Sequence, residues 1–104
     1  MNLKGPLPAL ILQCLSRGPN HGYLIAKHIK STSKGVLDYR EGTLYPALHD
    51  LENKGLLESY EQIEKGRTRR YYRLTRAGKK KCAEERREWN RFSSAVTLVL
   101  EGVP

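Results

Sequence analysis

Little in this chain invites covalent or redox chemistry. Its 104 residues hold two cysteines, one tryptophan, one phenylalanine and one methionine. Cys14 and Cys82 stand far apart with no C-x-x-C pair, and the three histidines lack metal-ligand spacing to them. A disulfide scaffold and a zinc motif are thereby excluded, and the plain reading is a cytoplasmic protein with unpaired thiols. No Ser/His/Asp or Cys/His set, paired catalytic carboxylates or phosphate loop is present, so the sequence predicts no enzyme, no cofactor and no metal. Nothing resembles a signal peptide, and no apolar run approaches the roughly 20 residues of a membrane span.

Acidic residues are also absent from one stretch. Residues 65–81 carry nine basic side chains (Lys65, Arg67, Arg69, Arg70, Arg73, Arg76, Lys79, Lys80, Lys81) and no Asp or Glu. Residues 1–64 balance seven basic against seven acidic, and residues 82–104 hold three against four, so the net charge of +8 comes from that stretch. A surface built only for solubility mixes the signs. Concentrated positive charge selects a polyanion: nucleic acid first, an anionic membrane surface second.

The residues that are present organise around Arg40–Lys54. Leu44, Leu48 and Leu51 fall at i, i+4 and i+7, the apolar stripe of a helix. Its other face carries Thr43, Tyr45, Ala47, His49, Asp50 and Asn53, compact side chains suited to a groove. Pro46 places the helix start near Glu41–Thr43, so that the proline falls in the first turn, and Gly55 closes it.

Before it, Leu7, Leu10, Ile11, Cys14 and Leu15 mark an amphipathic helix, with Cys14 a small core residue, and Arg17–Asn20 a turn. A second helix spans Gly22 to Ser31 or Ser33, with Leu24, Ile25, Ile29 and the small Ala26 as candidates for its buried side. Tyr23 in its first turn is either an anion contact or a packing aromatic. His21 and His28 are expected at the surface, and Val36–Tyr39 as a short strand.

After Gly55 the period falls towards two. Leu57–Ile63, a turn at Glu64–Arg67 and Thr68–Leu74 predict a hairpin whose tip and return strand are loaded with arginine. Thr75 then caps a helix to about Leu100. Cys82, Trp89, Val96 and Val103 repeat by seven, Phe92 and Val99 form a second line, and Glu85 interrupts it. Such a seam suits a second helix, and a span of about 38 Å outreaches the small body, so it is expected to meet its copy in a second subunit.

The fold expected is mainly α with a small β-hairpin wing: a winged helix-turn-helix over residues 1–75 and a dimerisation helix over 76–104. In that arrangement the helix near 42–54 enters the major groove and the 64–70 wing lies on the adjacent backbone or minor groove. A protein-interaction module of the same shape would not need nine uninterrupted basic residues. Single-stranded RNA binding would have to press Tyr71 and Tyr72 into stacking platforms.

Three segments also carry a resemblance. HGYLIAKHI (His21–Ile29), EGTLYPALHDLENKGLL (Glu41–Leu57) and RRYYRLTRAGKK (Arg69–Lys80) resemble the hallmark segments of the PadR family of bacterial transcriptional regulators, in its short C-terminal-helix branch. The G-T-L-Y-P-A-L block with Y-x-L-T-x-x-G is highly specific, and the likeness runs from about Lys4 to the chain end. It implies a homodimer on a palindromic operator, usually as a repressor. By position, Tyr23, Thr43 and Tyr45 would be backbone or groove contacts and Arg67 a wing contact. Ala47, His49, Asn53, Lys65, Arg69 and Arg70 complete the candidate DNA-binding set. Cys82, Trp89, Phe92, Val96 and Val99 are the candidate dimer contacts. Some relatives bind flat aromatic compounds between subunits beside a tryptophan of the last helix, a place that Trp89 and Phe92 could occupy. The run Lys79–Lys81 is heavier than the resemblance requires.

Overall fold

A computed structural model describes residues 5–102. The chain runs α1 (Leu7–Leu15), β1 (Asn20–His21), α2 (Gly22–Thr32), α3 (Glu41–Asn53), β2 (Leu57–Glu64), β3 (Arg67–Leu74) and α4 (Arg76–Leu100). The strands form one antiparallel sheet in the order β1-β3-β2. The fold is mainly helical with a small β wing.

Helices α1, α2 and α3 bury their apolar stripes on one another. Ile11, Leu12, Ile25, Leu44 and Leu48 have essentially no solvent contact, and Tyr72 of β3 closes the same core from the sheet. Two stripe assignments change. Leu12, off the expected line, is buried, because α1 is covered on more than one side. Leu24 is 39% exposed, because the α2 residues that face inward are Gly22, Ile25 and Ile29.

Helix α3 begins at the early end of its expected range, so Pro46 lies in the second turn and not the first. The proline removes the hydrogen bond that its N–H would give the Gly42 carbonyl; Gly42 is exposed, so that carbonyl is open to water. At the other end Gly55, with φ +75°, turns the chain, and Leu56 N–H donates to the Leu51 carbonyl at 3.0 Å, a Schellman closure.

Val36–Tyr39 is not a strand; the third strand is Asn20–His21, which pairs with Tyr72 and Tyr71 at the inner end of β3. The pairing buries His21, which therefore is not a surface residue. Two residues are too short to leave a periodic signal, and the turn residues Gly18 and Pro19 beside them read as loop.

The hairpin register is Leu57↔Leu74, Ser59↔Tyr72 and Glu64↔Arg67. Its tip is the two-residue turn Lys65-Gly66, both at positive φ (48° and 77°). Such a turn matches the right-handed twist of the strands.

Thr75 caps α4: its Oγ1 accepts from Gly78 N–H at 3.0 Å, and its hydroxyl donates to the Gly55 carbonyl at 2.6 Å. Gly78 lies against the Leu56 backbone so closely that a Cβ there would stand 2.0 Å from the carbonyl oxygen. These contacts lock the start of α4 to the end of α3. Farther on, α4 leaves the body. All residues from 90 to 102 are exposed, and the longest dimension of the molecule is 59 Å. Val103, in the expected heptad line, lies outside the described residues.

Candidate nucleic-acid interface

The surface that gathers the predicted polar residues is built by α3 and the hairpin. Thr43, His49, Asp50 and Asn53 are exposed on α3, whose opposite stripe is held in the core by Leu44, Leu48 and Leu51. Tyr45 and Ala47 are half-buried and touch the core. The Tyr45 ring lies on Gly22, where an added Cβ would stand 2.9 Å from it, so a glycine at the start of α2 seats the tyrosine. Tyr23, one residue later, is 61% exposed beside that helix start. Asp50 is paired with Lys54 at 2.9 Å, which lowers the negative charge of the α3 surface.

The hairpin arginines are not alike. Arg73 Nε sits 2.7 Å from Glu58 and its guanidinium lies 5.1 Å over the Tyr60 ring. Arg70 bonds Ser59 at 3.1 Å and approaches Glu61 at 3.9 Å, while Arg69 faces Glu64 at 3.7 Å. Each pair crosses the strands: Glu58↔Arg73 and Glu61↔Arg70 are direct register partners. Lys65 and Arg67, at the tip, make no ion pair among the described residues and are exposed. Three of the five hairpin cations are therefore neutralised in place by β2, and the two at the tip are free among the described residues. The sequence shows the three glutamates of LESYEQIE, but only the strand register shows which arginines they meet.

An aromatic row fixes the hairpin to α2. Tyr60 stacks on Tyr71 at 5.7 Å, Tyr71 meets His21 edge-on at 5.4 Å, and His21 stacks over Tyr23 at 6.3 Å. Tyr71 also donates to Glu64, which holds its phenol proton on and raises its pKa. Burial pulls the His21 imidazole below its usual pKa, the Arg69 charge adds to the effect and Glu64 opposes it. Tyr72 is buried and its hydroxyl pushed up by burial, so it is no stacking platform for RNA.

Burial raises the pKa of both Cys14 and Cys82, the opposite of an activated thiol. Cys82 is buried against Gln13 at 3.7 Å, and Cys14 is half-buried. On α4, Trp89 is half-buried with Phe92 edge-on at 5.5 Å, whereas Phe92, Val96 and Val99 are 43%, 39% and 77% exposed. Glu85 is buried, with one carboxylate oxygen 3.5 Å from Lys81 and the other unbonded among the described residues. Lys79 and Lys80 are exposed on the first turns of α4.

A helix pair presenting the polar side of its second helix, followed by a hairpin with a cationic tip, is a winged helix-turn-helix. Residues 11–84 match the model of the transcriptional regulator PadR-like family, and the chain belongs to that family. Its members are regulators of transcription, not enzymes. The transcriptional regulator Rv3488 of Mycobacterium tuberculosis is 54% identical over 55 residues, which are 53% of this chain and 51% of that protein. A PadR family transcription regulator from Clostridium difficile R20291 superposes with a TM-score of 0.80 at 32% identity, covering 92% of this chain and 99% of the other. The chain is also similar to Bacillus subtilis PadR, solved in complex with operator DNA (TM-score 0.70, 25% identity), over 77% of this chain and 46% of that one.

Proposed function

We propose that this regulator binds a palindromic DNA operator as a homodimer and represses transcription, in the cytoplasm. Residues 1–75 form the DNA-binding unit and residues 76–104 the dimerisation helix. Helix α3 presents Thr43, Tyr45, Ala47, His49 and Asn53 to the major groove, Tyr23 takes a phosphate at the start of α2, and the wing sets Lys65, Arg67, Arg69 and Arg70 on the neighbouring backbone or minor groove. The observation that carries this reading is the pairing of an α3 face free of Lys and Arg with two cations at the hairpin tip that make no ion pair among the described residues. The operator complex of the Bacillus subtilis relative supports it.

The second half of the reading rests on α4. Its protruding end exposes Phe92, Val96, Leu98, Val99 and Leu100, an apolar surface that another copy would cover. Trp89 lies at the root of that seam, whereas Cys82, expected there, is buried in the subunit's own core against Gln13. Beside Trp89, whose indole N–H is buried without an acceptor among the described residues, is a hollow of about 340 Å³ reaching to Leu10 and Gln13. A small aromatic effector between subunits would meet Trp89 there, with Phe92 edge-on to Trp89 but outside the lining of the hollow.

Selection of bound fragments from a random DNA pool, in salt strong enough to screen non-specific contacts, tests the reading. An inverted repeat with half-sites about one helical turn apart is expected. Recovery of no sequence above background would overturn it in favour of a non-specific binder or an interaction module.

A further inference from the structure

One cavity among the described residues lies outside the Trp89 region. It is a cleft of about 690 Å³ between the exposed side of α2 and the loop that leads into α3. Ser33, Lys34 and Gly35 turn the chain away from α2, with Lys34 and Gly35 at φ 55° and 83°. The loop is then pinned at a distance: Gly35 N–H donates to the Lys30 carbonyl at 2.8 Å, Leu37 N–H to Ser33 Oγ at 2.9 Å, and Lys30 pairs with Asp38 at 3.6 Å. The gap is thus held open by the fold.

Its floor is Ala26 and the buried Leu44, and Tyr23, Tyr39 and Tyr45 wall it. Four cations line it (Lys27, Lys30, Lys34, Arg40) against two carboxylates (Asp38, Glu41). Only Lys30 is in an ion pair among the described residues, so three cations remain for an occupant. Drug-sized ligands occupy clefts of about 300–1,000 Å³ with apolar and aromatic walls and a few polar groups that fix orientation. A lone phosphate of a DNA backbone needs far less room and no aromatic walls.

We infer that this cleft binds a planar aromatic anion (an aryl carboxylate, sulfonate or phosphate), its ring between the tyrosines and its charge on Lys27, Lys34 or Arg40. Tyr23 and Tyr45, at its mouth, are residues assigned above to DNA. An occupant there competes with the operator, a negative coupling between the two ligands. Binding of the anion needs no DNA, whereas the competition rests on the reading proposed above.

The test is a titration of the full chain with naphthalene-2-sulfonate, followed by amide chemical shifts, with inorganic phosphate and uncharged 2-naphthalenemethanol in parallel. The sulfonate should shift residues 23–45 and bind at least about tenfold tighter than either control, the difference made by one charge-assisted hydrogen bond or by the ring. Ala26→Phe, which fills the floor, and Lys34→Glu, which inverts a wall charge, should each weaken it about tenfold or more. Lys34 is exposed, so its variant reports on binding even if Ala26→Phe does not fold. Equal binding of sulfonate and controls, shifts confined to the surroundings of Trp89, or indifference to Lys34→Glu would overturn the site. Saturating sulfonate should also raise the apparent Kd for DNA by about tenfold. Cleft binding with unchanged DNA affinity overturns the competition alone. Absence of DNA binding without any ligand overturns the proposed function and leaves the cleft result standing.

Discussion

The sharpest consequence of the hairpin geometry concerns salt. Residues 57–74 carry five cations, Lys65, Arg67, Arg69, Arg70 and Arg73, and three carboxylates, Glu58, Glu61 and Glu64. The three carboxylates face Arg73, Arg70 and Arg69. An arginine drawn from its carboxylate to a phosphate leaves that carboxylate repelling the same phosphate, so the pair releases almost no counterion. Lys65 and Arg67 have no such partner among the described residues and each should release close to one. With a slope of about 0.9 per neutralised phosphate, the two tip cations contribute about 1.8 to the logarithmic salt dependence of each bound subunit. Between about 50 and 200 mM salt, a change of about 0.6 log unit, that is about 1.1 log units, or roughly tenfold in affinity. Fluorescence anisotropy on a short labelled duplex of arbitrary sequence measures this, because the term is independent of sequence. The double variant Lys65→Ala/Arg67→Ala should lose about 1.8 of slope per bound subunit. Arg73→Ala should leave the slope as it was, and Glu61→Gln should steepen it by freeing Arg70. If Arg73→Ala flattens the slope as much as Arg67→Ala, the ion pairs open freely on DNA and the reasoning fails.

Other expectations are read from stability and assembly. Gly78→Ala places a Cβ 2.0 Å from the Leu56 carbonyl oxygen, backbone against backbone, and should cost about 3 kcal/mol or more in chemical denaturation; a loss under 1 kcal/mol would mean that the α3–α4 joint gives way easily. His21 has a folded pKa below the 6.5 of the free side chain, so the unfolded chain takes up its proton first. Stability should therefore be fully present above about pH 6.5 and decline as pH falls below it, and His21→Asn should remove that part of the slope in denaturation midpoints measured against pH. Val96→Asp, at a position exposed within one subunit, should leave the helical circular dichroism of the monomer intact while sedimentation shows loss of the dimer; an unchanged sedimentation coefficient would remove Val96 from the interface.

What the sequence determined by itself was everything that rests on period and local chemistry. Leu44, Leu48 and Leu51 specified the inner side of α3, Thr75 the start of α4, and Lys65-Gly66 the hairpin tip, because each signal is complete within a few neighbouring residues. The segments around Gly42–Leu48 and Tyr72–Gly78 carried the family with them. Tertiary structure alone decided which charges are free and which residues are inside. Arg73 and Glu58 are 15 positions apart, and only the antiparallel register makes them neighbours. His21 reads as a surface residue until pairing with Tyr71 buries it, and Leu24 reads as core until α2 settles with Ile25 and Ile29 inward. Pro46 fell one turn deeper than its own chemistry prefers, since the packing of α3 outweighs the one hydrogen bond lost there. The cleft beside α2 was invisible for the same reason. It is made by the separation of two segments, and a spacing in three dimensions has no periodicity in the chain.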